Sequence, residues 1–445
     1  MKKIIVKTLA ASMVVAGTFG VSAALKAQTA AEQYVPLLTY RTGSFAPLGI
    51  AWGDGKIDYL ELVNAQGGIN GVKIRFEECE TAYATDRGVE CYERMKHAHG
   101  GAASFDTQST GITFAVTDRA PDDKVVVQTT GYGLSQSAAG AYFEWNFPLL
   151  GHYWTAADVA IQHIAEQMGG FDQLKGKKIA LVHHDSPYGK EPIPLLQKRA
   201  EAHGFELLIY PVTAPGVEQK STWLQIRQQR PDQVILWSAG VMTPTAIREA
   251  QATGYPRDKM LAIWWAGSEN DVKDIAQVAK GYKTITLHNS VGKDFGVYQM
   301  LEDNVYAKGK GMGKGNGTHG TIAYNRGMMI SFLTVEAIRT AQEKFGEGQH
   351  MTPEQIRWGL ENLNIDDARL EETGMAGMVR PVRTTCEDHV GGDWARIAQW
   401  NGSDWDVISD WMQADQEFVA PLVQSEAEKY AAAKGITPRD CSTVE

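Results

Sequence analysis

Within His183-His184-Asp185-Ser186-Pro187-Tyr188-Gly189 the chain sets two imidazoles, a carboxylate, a hydroxyl and a phenol side by side. Imidazoles next to a carboxylate could ligate a metal or relay a proton. Successive residues of a strand point to opposite faces, however, so the pair reads as one core and one surface histidine, with no metal site. Tyr188 lies in the polar turn that follows and is the better candidate for touching a ligand. Similar polar turns recur at Asp106-Thr107-Gln108-Ser109-Thr110, at Gln128-Thr129-Thr130-Gly131-Tyr132-Gly133 and at Ser238-Ala239-Gly240. Trp237, Trp264 and Trp265 stand at or near strand ends, and aromatic faces suit planar, apolar or cationic ligands. Covalent chemistry has no matching pattern: there is no GxSxG elbow, HExxH helix or Walker A loop. Gly315-Asn316-Gly317-Thr318-His319-Gly320 fits GxGxxG formally, but it follows a Gly/Lys-rich loop instead of a strand and reads as a flexible connector. The residue types point to reversible binding with no cofactor.

These turns need elements to hold them. Ile179–Val182 is a short apolar run that suits a buried strand, and Pro192 and Pro194 open a helix that Gly204 is placed to end. Upstream, strands at Val35–Thr39, Val72–Phe76, Ala102–Phe105 and Val125–Val127 alternate with helices. Phe147–Gly151 reads as a hinge. Beyond it come a helix over Thr155–Met168 and strands at Phe205–Tyr210, Val234–Trp237, Met260–Trp265 and Thr284–His288. Ser221 is the expected cap of a helix to Arg230. Alternating β and α segments imply parallel sheets with helices on both faces, and such sheets bind ligands outside the carboxyl ends of their strands. Long helices over about Thr321–Lys344 and Thr352–Asn362 follow. Arg396–Gln399 and Trp405–Ile408 form a hairpin across Asn401-Gly402, and Gln424–Lys434 is a polar helix.

A chain of 445 residues has room for two domains with substantial cores. Lys2, Lys3 and Lys7 precede an apolar run from Leu9 to Ala24, and Ser22-Ala23-Ala24 offers small residues for cleavage, the pattern of a secretory signal peptide over 1–24. No cysteine follows that run, so a lipid anchor is not expected. No later stretch is apolar enough to span a bilayer, and an exported, soluble protein is expected. Without those lysines the formal charge moves from −10 to −13, which gives no electrostatic reason to seek nucleic acid or anionic lipid. Four cysteines in an exported chain suggest two disulfides, Cys79 with Cys91 and Cys386 with Cys441.

Particular residues also carry a resemblance. Thr42-Gly43-Ser44-Phe45-Ala46, Asn64 to Gly71, Asp185 to Gly189, and Ile247-Arg248-Glu249-Ala250 with Thr253-Gly254 resemble, in order, segments of the leucine/isoleucine/valine-type periplasmic solute-binding proteins of ABC transporters. The likeness runs over residues 34 to 410. It implies a type 1 periplasmic binding protein architecture: two doubly wound, Rossmann-like α/β lobes joined by a hinge that the chain crosses more than once. On that pattern 34–150 and 289–385 form the N-terminal lobe, 151–288 and 386–420 the C-terminal lobe, and 421–445 a helical tail.

The resemblance implies contacts residue by residue. A ligand carboxylate would meet Thr107, Ser109, Thr110, Thr130, Gly131 and Tyr132 in the first lobe, where helix N-termini also present free N–H groups. Leu48 falls where the family places an apolar contact, and Tyr188 matches its second-lobe tyrosine. The family's acid for a ligand ammonium is matched only by Glu269, a little later than the pattern. Aromatic residues nearby, Trp237 and Trp265, set an aromatic acid beside the amino acid or amide as the expected solute. The partners implied are a small molecule and an ABC-transporter membrane permease in the periplasm, for a monomer with no enzymatic activity. A sensor module or an exported α/β enzyme are the alternatives.

Overall fold

The computed structural model describes residues 32–443, together with Met1. The signal peptide expected over 1–24 lies outside the described residues. Two parallel sheets organise the chain. In the first, Glu32–Thr39 pairs in parallel with Lys73–Glu80, register Glu32 to Lys73. Leu37 bridges Asp106, Phe105 bridges Val127, and Val127–Thr130 pairs in parallel with Asn146–Leu149. The first strand therefore lies inside, and the chain leaves it in both directions, which creates a switch point where neighbouring turns diverge. The strand expected at Ala102–Phe105 is reduced to these bridges. Gly100 and Gly101 enter it with φ of 92° and 110°, which a regular ladder does not use, so pairing starts late. Phe147–Gly151, read as a hinge, is largely the strand Asn146–Leu149. Its Phe147 and Leu149 are fully buried, and the chain turns only at Leu150 and Gly151.

The second sheet repeats the pattern. Its order is Trp405–Val407, Trp394–Trp400, Lys283–Leu287, Met260–Ala262, Gln233–Trp237, Lys178–His184, Glu206–Val212, with Met412–Gln413 paired to Trp394–Trp400. Lys178–His184 is its internal first strand, parallel to both neighbours, while the hairpin strand adds antiparallel to Lys283–Leu287. The expected strand Met260–Trp265 stops at Ala262, and Trp264–Ala266 form a tight 3-10 turn. Gly267 permits it: a Cβ there would stand 2.2 Å from Thr284 Oγ1. His183 and His184 are both buried, because helices cover both faces of a parallel sheet. The helix expected to be capped by Ser221 spans Lys220–Gln229 without a side-chain cap. Gln219 precedes it and uses its amide to donate to Gly216 O and Met242 O.

Helices Ala46–Ala65 and Ile322–Phe345 cross at glycines. A Cβ on Gly55 would lie 2.0 Å from Tyr324 O, and one on Gly327 2.1 Å from Trp52 O. This close approach sets Trp52 and Arg326 beside each other in the interior. The Gly-rich connector is tied to the same helix: Met312 N and Gly313 N donate to Asp58, and Thr318 Oγ1 donates to Asp54 at 2.7 Å. The C-terminal helix begins at Gln416, earlier than expected, where Asp415 N donates to Asp158 and Phe418 packs 3.7 Å from the Arg199 guanidinium. Both disulfides are formed, with Cα–Cα distances of 6.0 Å for Cys79–Cys91 and 5.6 Å for Cys386–Cys441.

Candidate functional site

Turns leaving the carboxyl ends of both sheets wall one cavity, as the switch-point geometry requires. Tyr40 follows the first strand, Tyr83 the second, Gln108, Ser109 and Thr110 the bridge at Asp106, and Tyr132 the strand Val127–Thr130. From the second sheet come Tyr188 after Lys178–His184, Ala239 after Gln233–Trp237 and Trp265 after Met260–Ala262. Phe45, Leu48 and Trp52 at the first helix, with Tyr153 at the start of Tyr153–Met168, complete the wall. The space free of atoms is about 340 Å³, partly open to solvent. A neighbouring hollow of about 510 Å³ shares Phe45, Tyr83, Ser109, Tyr188 and Ala239 and extends over Thr85, His184 and Ser186.

Aromatic rings dominate the wall and are fixed in place. Trp52 and Trp265 stack with centroids 4.8 Å apart, and Tyr132 meets both edge-on. Tyr188 donates to Ser238 O at 2.9 Å, and the Tyr153 and Thr110 hydroxyls lie 3.0 Å apart. Tyr132 donates to Asp106 and accepts from Gln108 N at 2.8 Å. Asp106 in turn pairs with Lys56 at 2.8 Å, both side chains buried. Burial holds the phenols of Tyr132, Tyr153 and Tyr188 well above the ordinary range and pushes Tyr83 up to about 12, so they remain neutral hydrogen-bonding groups. Ser109 caps the helix Thr110–Thr117 by accepting from Ile112 N, which leaves the N–H groups of Thr110 and Gly111 without an intrahelical carbonyl. The Gln108 amide is buried and has no hydrogen-bond partner within the protein at either atom.

Of the residues singled out in sequence, Leu48, Ser109, Thr110, Tyr132, Tyr188 and Trp265 come together on this wall. Thr107, Thr130, Gly131, Trp237 and Glu269 are not part of it. Thr107 sits one layer behind, its hydroxyl 2.7 Å from that of Thr113. Thr130 and Trp237 are buried, and Trp237 packs on Tyr153 with centroids 5.7 Å apart. The Gly131 carbonyl accepts from Trp264 Nε1 at 2.8 Å. Glu269 accepts from Ile322 N at 3.2 Å, at the start of the helix Ile322–Phe345. Tyr40, Phe45, Trp52, Tyr83, Gln108, Tyr153 and Ala239 were missed. Tyr40 directly follows a strand and Gln108 lies inside a recognised turn, signals that could have found them. Trp52 sits within a helix and gave none.

Burial raises the Glu269 carboxyl to about 6, against hydrogen bonds from backbone N–H groups that lower it. A folded-state value above the unfolded one means stability is fully present below the unfolded value and lost as pH rises through about 6. Glu269→Gln should abolish that loss, so the variant gains on the order of 1 kcal/mol over the parent at pH 8 but nothing at pH 4. Urea melts at the two pH values would show a constant difference if Glu269 titrates normally.

A sequence profile of the family described as periplasmic binding protein matches residues 32–404. A crystal structure described as an ABC transporter permease from the Pseudomonas fluorescens group is 41% identical, with a TM-score of 0.86, covering 92% of this chain and 99% of that one. That of a branched chain amino acid ABC transporter from Thermus thermophilus with bound valine has a TM-score of 0.71 at 17% identity, over 88% of this chain and 99% of that one. The Leu/Ile/Val-binding protein homolog 3 of Brucella melitensis biotype 1 is 26% identical over 211 residues, 47% of this chain and 53% of the relative. The chain thus spans about half the length of that curated relative. The profile match takes in the first sheet, the second as far as Trp394–Trp400 and every turn that walls the cavity, and so the chain belongs to the periplasmic binding protein family, with the type 1 fold.

Proposed function

We propose that the protein is an exported, periplasmic solute-binding protein that captures a small organic solute, an amino acid, an amide or an aromatic acid, between two lobes. It then hands the solute unchanged to the membrane permease of an ABC transporter. The observation that carries this reading is the cavity's double parentage: its walls come from the strand ends of both sheets. Residues 34–150 with 289–385 would move against 151–288 with 386–420, and the solute would be held where they meet. Contacts across that boundary support a closing motion of the hinge type. Trp52 stacks on Trp265, Trp264 Nε1 donates to Gly131 O, and Arg326 Nη1 donates to Trp264 O at 3.1 Å. All three would part on opening. Non-catalytic capture fits a wall of neutral phenols, indoles, an amide and two hydroxyls already engaged, Ser109 accepting from Ile112 N and Thr110 against the Tyr153 hydroxyl.

The test is a thermal-shift screen of aliphatic amino acids, amides and aromatic acids. A solute present at about 100 times its Kd stabilises the folded form by about 2.7 kcal/mol, which reads as a clear rise in Tm. Mass spectrometry of the incubated hit should return it unaltered. A hit that comes back chemically changed would make the protein an enzyme, and a screen with no shift would remove solute binding.

A further inference from the structure

Among the described residues no charged side chain lines the cavity, yet a charge stands against its wall. Arg326, near the start of the helix Ile322–Phe345, is 1% exposed, and its guanidinium carbon lies 3.3 Å from the centre of the Trp265 ring and 5.8 Å from that of Trp52. Nη1 donates to Trp264 O, while Nε and Nη2 have no hydrogen-bond partner within the protein. Burial lowers its pKa to about 9, which leaves it cationic at neutral pH. The ionisable groups that act most strongly on it are Tyr40, Tyr153 and Tyr188 of the wall, which burial keeps neutral, and Asp106.

Only Asp106 among these is an anion, and it is committed to Lys56 at 2.8 Å and to the Tyr132 hydroxyl. Glu269 is held by Ile322 N. Glu191, which acts on Tyr153, is held by Ser135, and burial raises it to about 7. The centre therefore carries a buried positive charge that no carboxylate of the described residues pairs with, and a buried charge is costly unless paired. Two sets of donors still free on the wall also favour an anion: the Gln108 amide nitrogen and the first N–H groups of Thr110–Thr117.

We propose that the solute is an organic anion, a carboxylate on a planar apolar body, and that Arg326 is the charge that selects it. This rests on the solute-binding reading above. The aromatic wall alone would equally suit a quaternary ammonium ion, which binds ring faces through their negative charge density. Arg326 already occupies that role against Trp265, and a second cation in the cavity would be repelled. A zwitterion would bring an ammonium group for which the wall offers no carboxylate.

Isothermal titration of the full chain with benzoate, phenylacetate, benzamide, benzylamine, phenyltrimethylammonium, L-phenylalanine and L-valine decides the matter. One of the two acids should bind at least about 30-fold tighter than benzamide and the amines. In Arg326→Gln that acid should lose about 30-fold in affinity while benzamide changes less than about threefold, and Arg326→Lys should restore most of the loss. A merely structural arginine would lower both affinities together, and that result overturns the proposal. Should Arg326→Gln not fold, the acid-to-amide ratio of the parent protein and of Arg326→Lys decides. Preference for an amine, quaternary ammonium, amide or zwitterion overturns the anion assignment and leaves solute capture standing. Binding of no probe, together with an empty thermal-shift screen, overturns both.

Discussion

Trp265→Ala is expected to weaken solute binding at least about 100-fold, a loss of about 3 kcal/mol. The indole carries three contacts at once. It lines the cavity, stacks at 4.8 Å on Trp52 of the first helix, and covers the Arg326 guanidinium at 3.3 Å. Removing a large buried aromatic deletes the transfer free energy and leaves a void that the surroundings fill only partly. Here the void would also admit water to Arg326 and remove the face on which the turns of the two sheets meet, so under the closing motion proposed above the closed state loses more than the open one. Affinity should therefore fall further than stability does. Trp265→Phe keeps a ring on that face and should retain most of the binding. Titration of both variants with the best solute of the screen checks this, and an Ala variant within about threefold of the parent would show that Trp265 lies outside the binding contacts.

What the sequence could reveal follows the range of the interactions involved. Strands such as Lys178–His184 and helices such as Tyr153–Met168 declare themselves through short apolar runs and periodicity, and the switch-point rule then places Thr110, Tyr132 and Tyr188 near a ligand. Within one turn, alternation decides the rest. Tyr132 reaches the cavity, while Thr130 faces into the core and Gly131 gives its carbonyl to Trp264. That outcome depends on where the strand ends, which periodicity does not fix to the residue. Met260–Trp265 shows the same limit, since the turn at Trp264–Ala266 depends on the approach of Thr284 to Gly267. Arg326 was not legible at all. An arginine on a long helix reads as a solvated charge, and its burial depends on the Gly55–Gly327 crossing, a contact between residues far apart in the chain.

Lys56→Met should destabilise the protein by about 3–5 kcal/mol. The Lys56 and Asp106 side chains are 2% and 7% exposed, and their charged atoms lie 2.8 Å apart. Losing the lysine strands a carboxylate in a medium that solvates it poorly, which costs more than the pair contributes while intact. The Tyr132 hydroxyl also donates to Asp106, but a single neutral donor does not offset a missing charge. The double variant Lys56→Met/Asp106→Asn should recover more than half of the loss, because it removes the stranded charge along with its partner. Urea denaturation with an unchanged m-value measures both effects as stability differences. A single-variant loss below about 1 kcal/mol would mean that water reaches Asp106 freely. Losses that simply add in the double variant would mean the pair is not coupled. The pair bears on the site as well, since Asp106 orients Tyr132, and Tyr132 accepts from Gln108 N. Even the recovered double variant should therefore bind solute more weakly than the parent, with the folding repaired and the wall still misaligned.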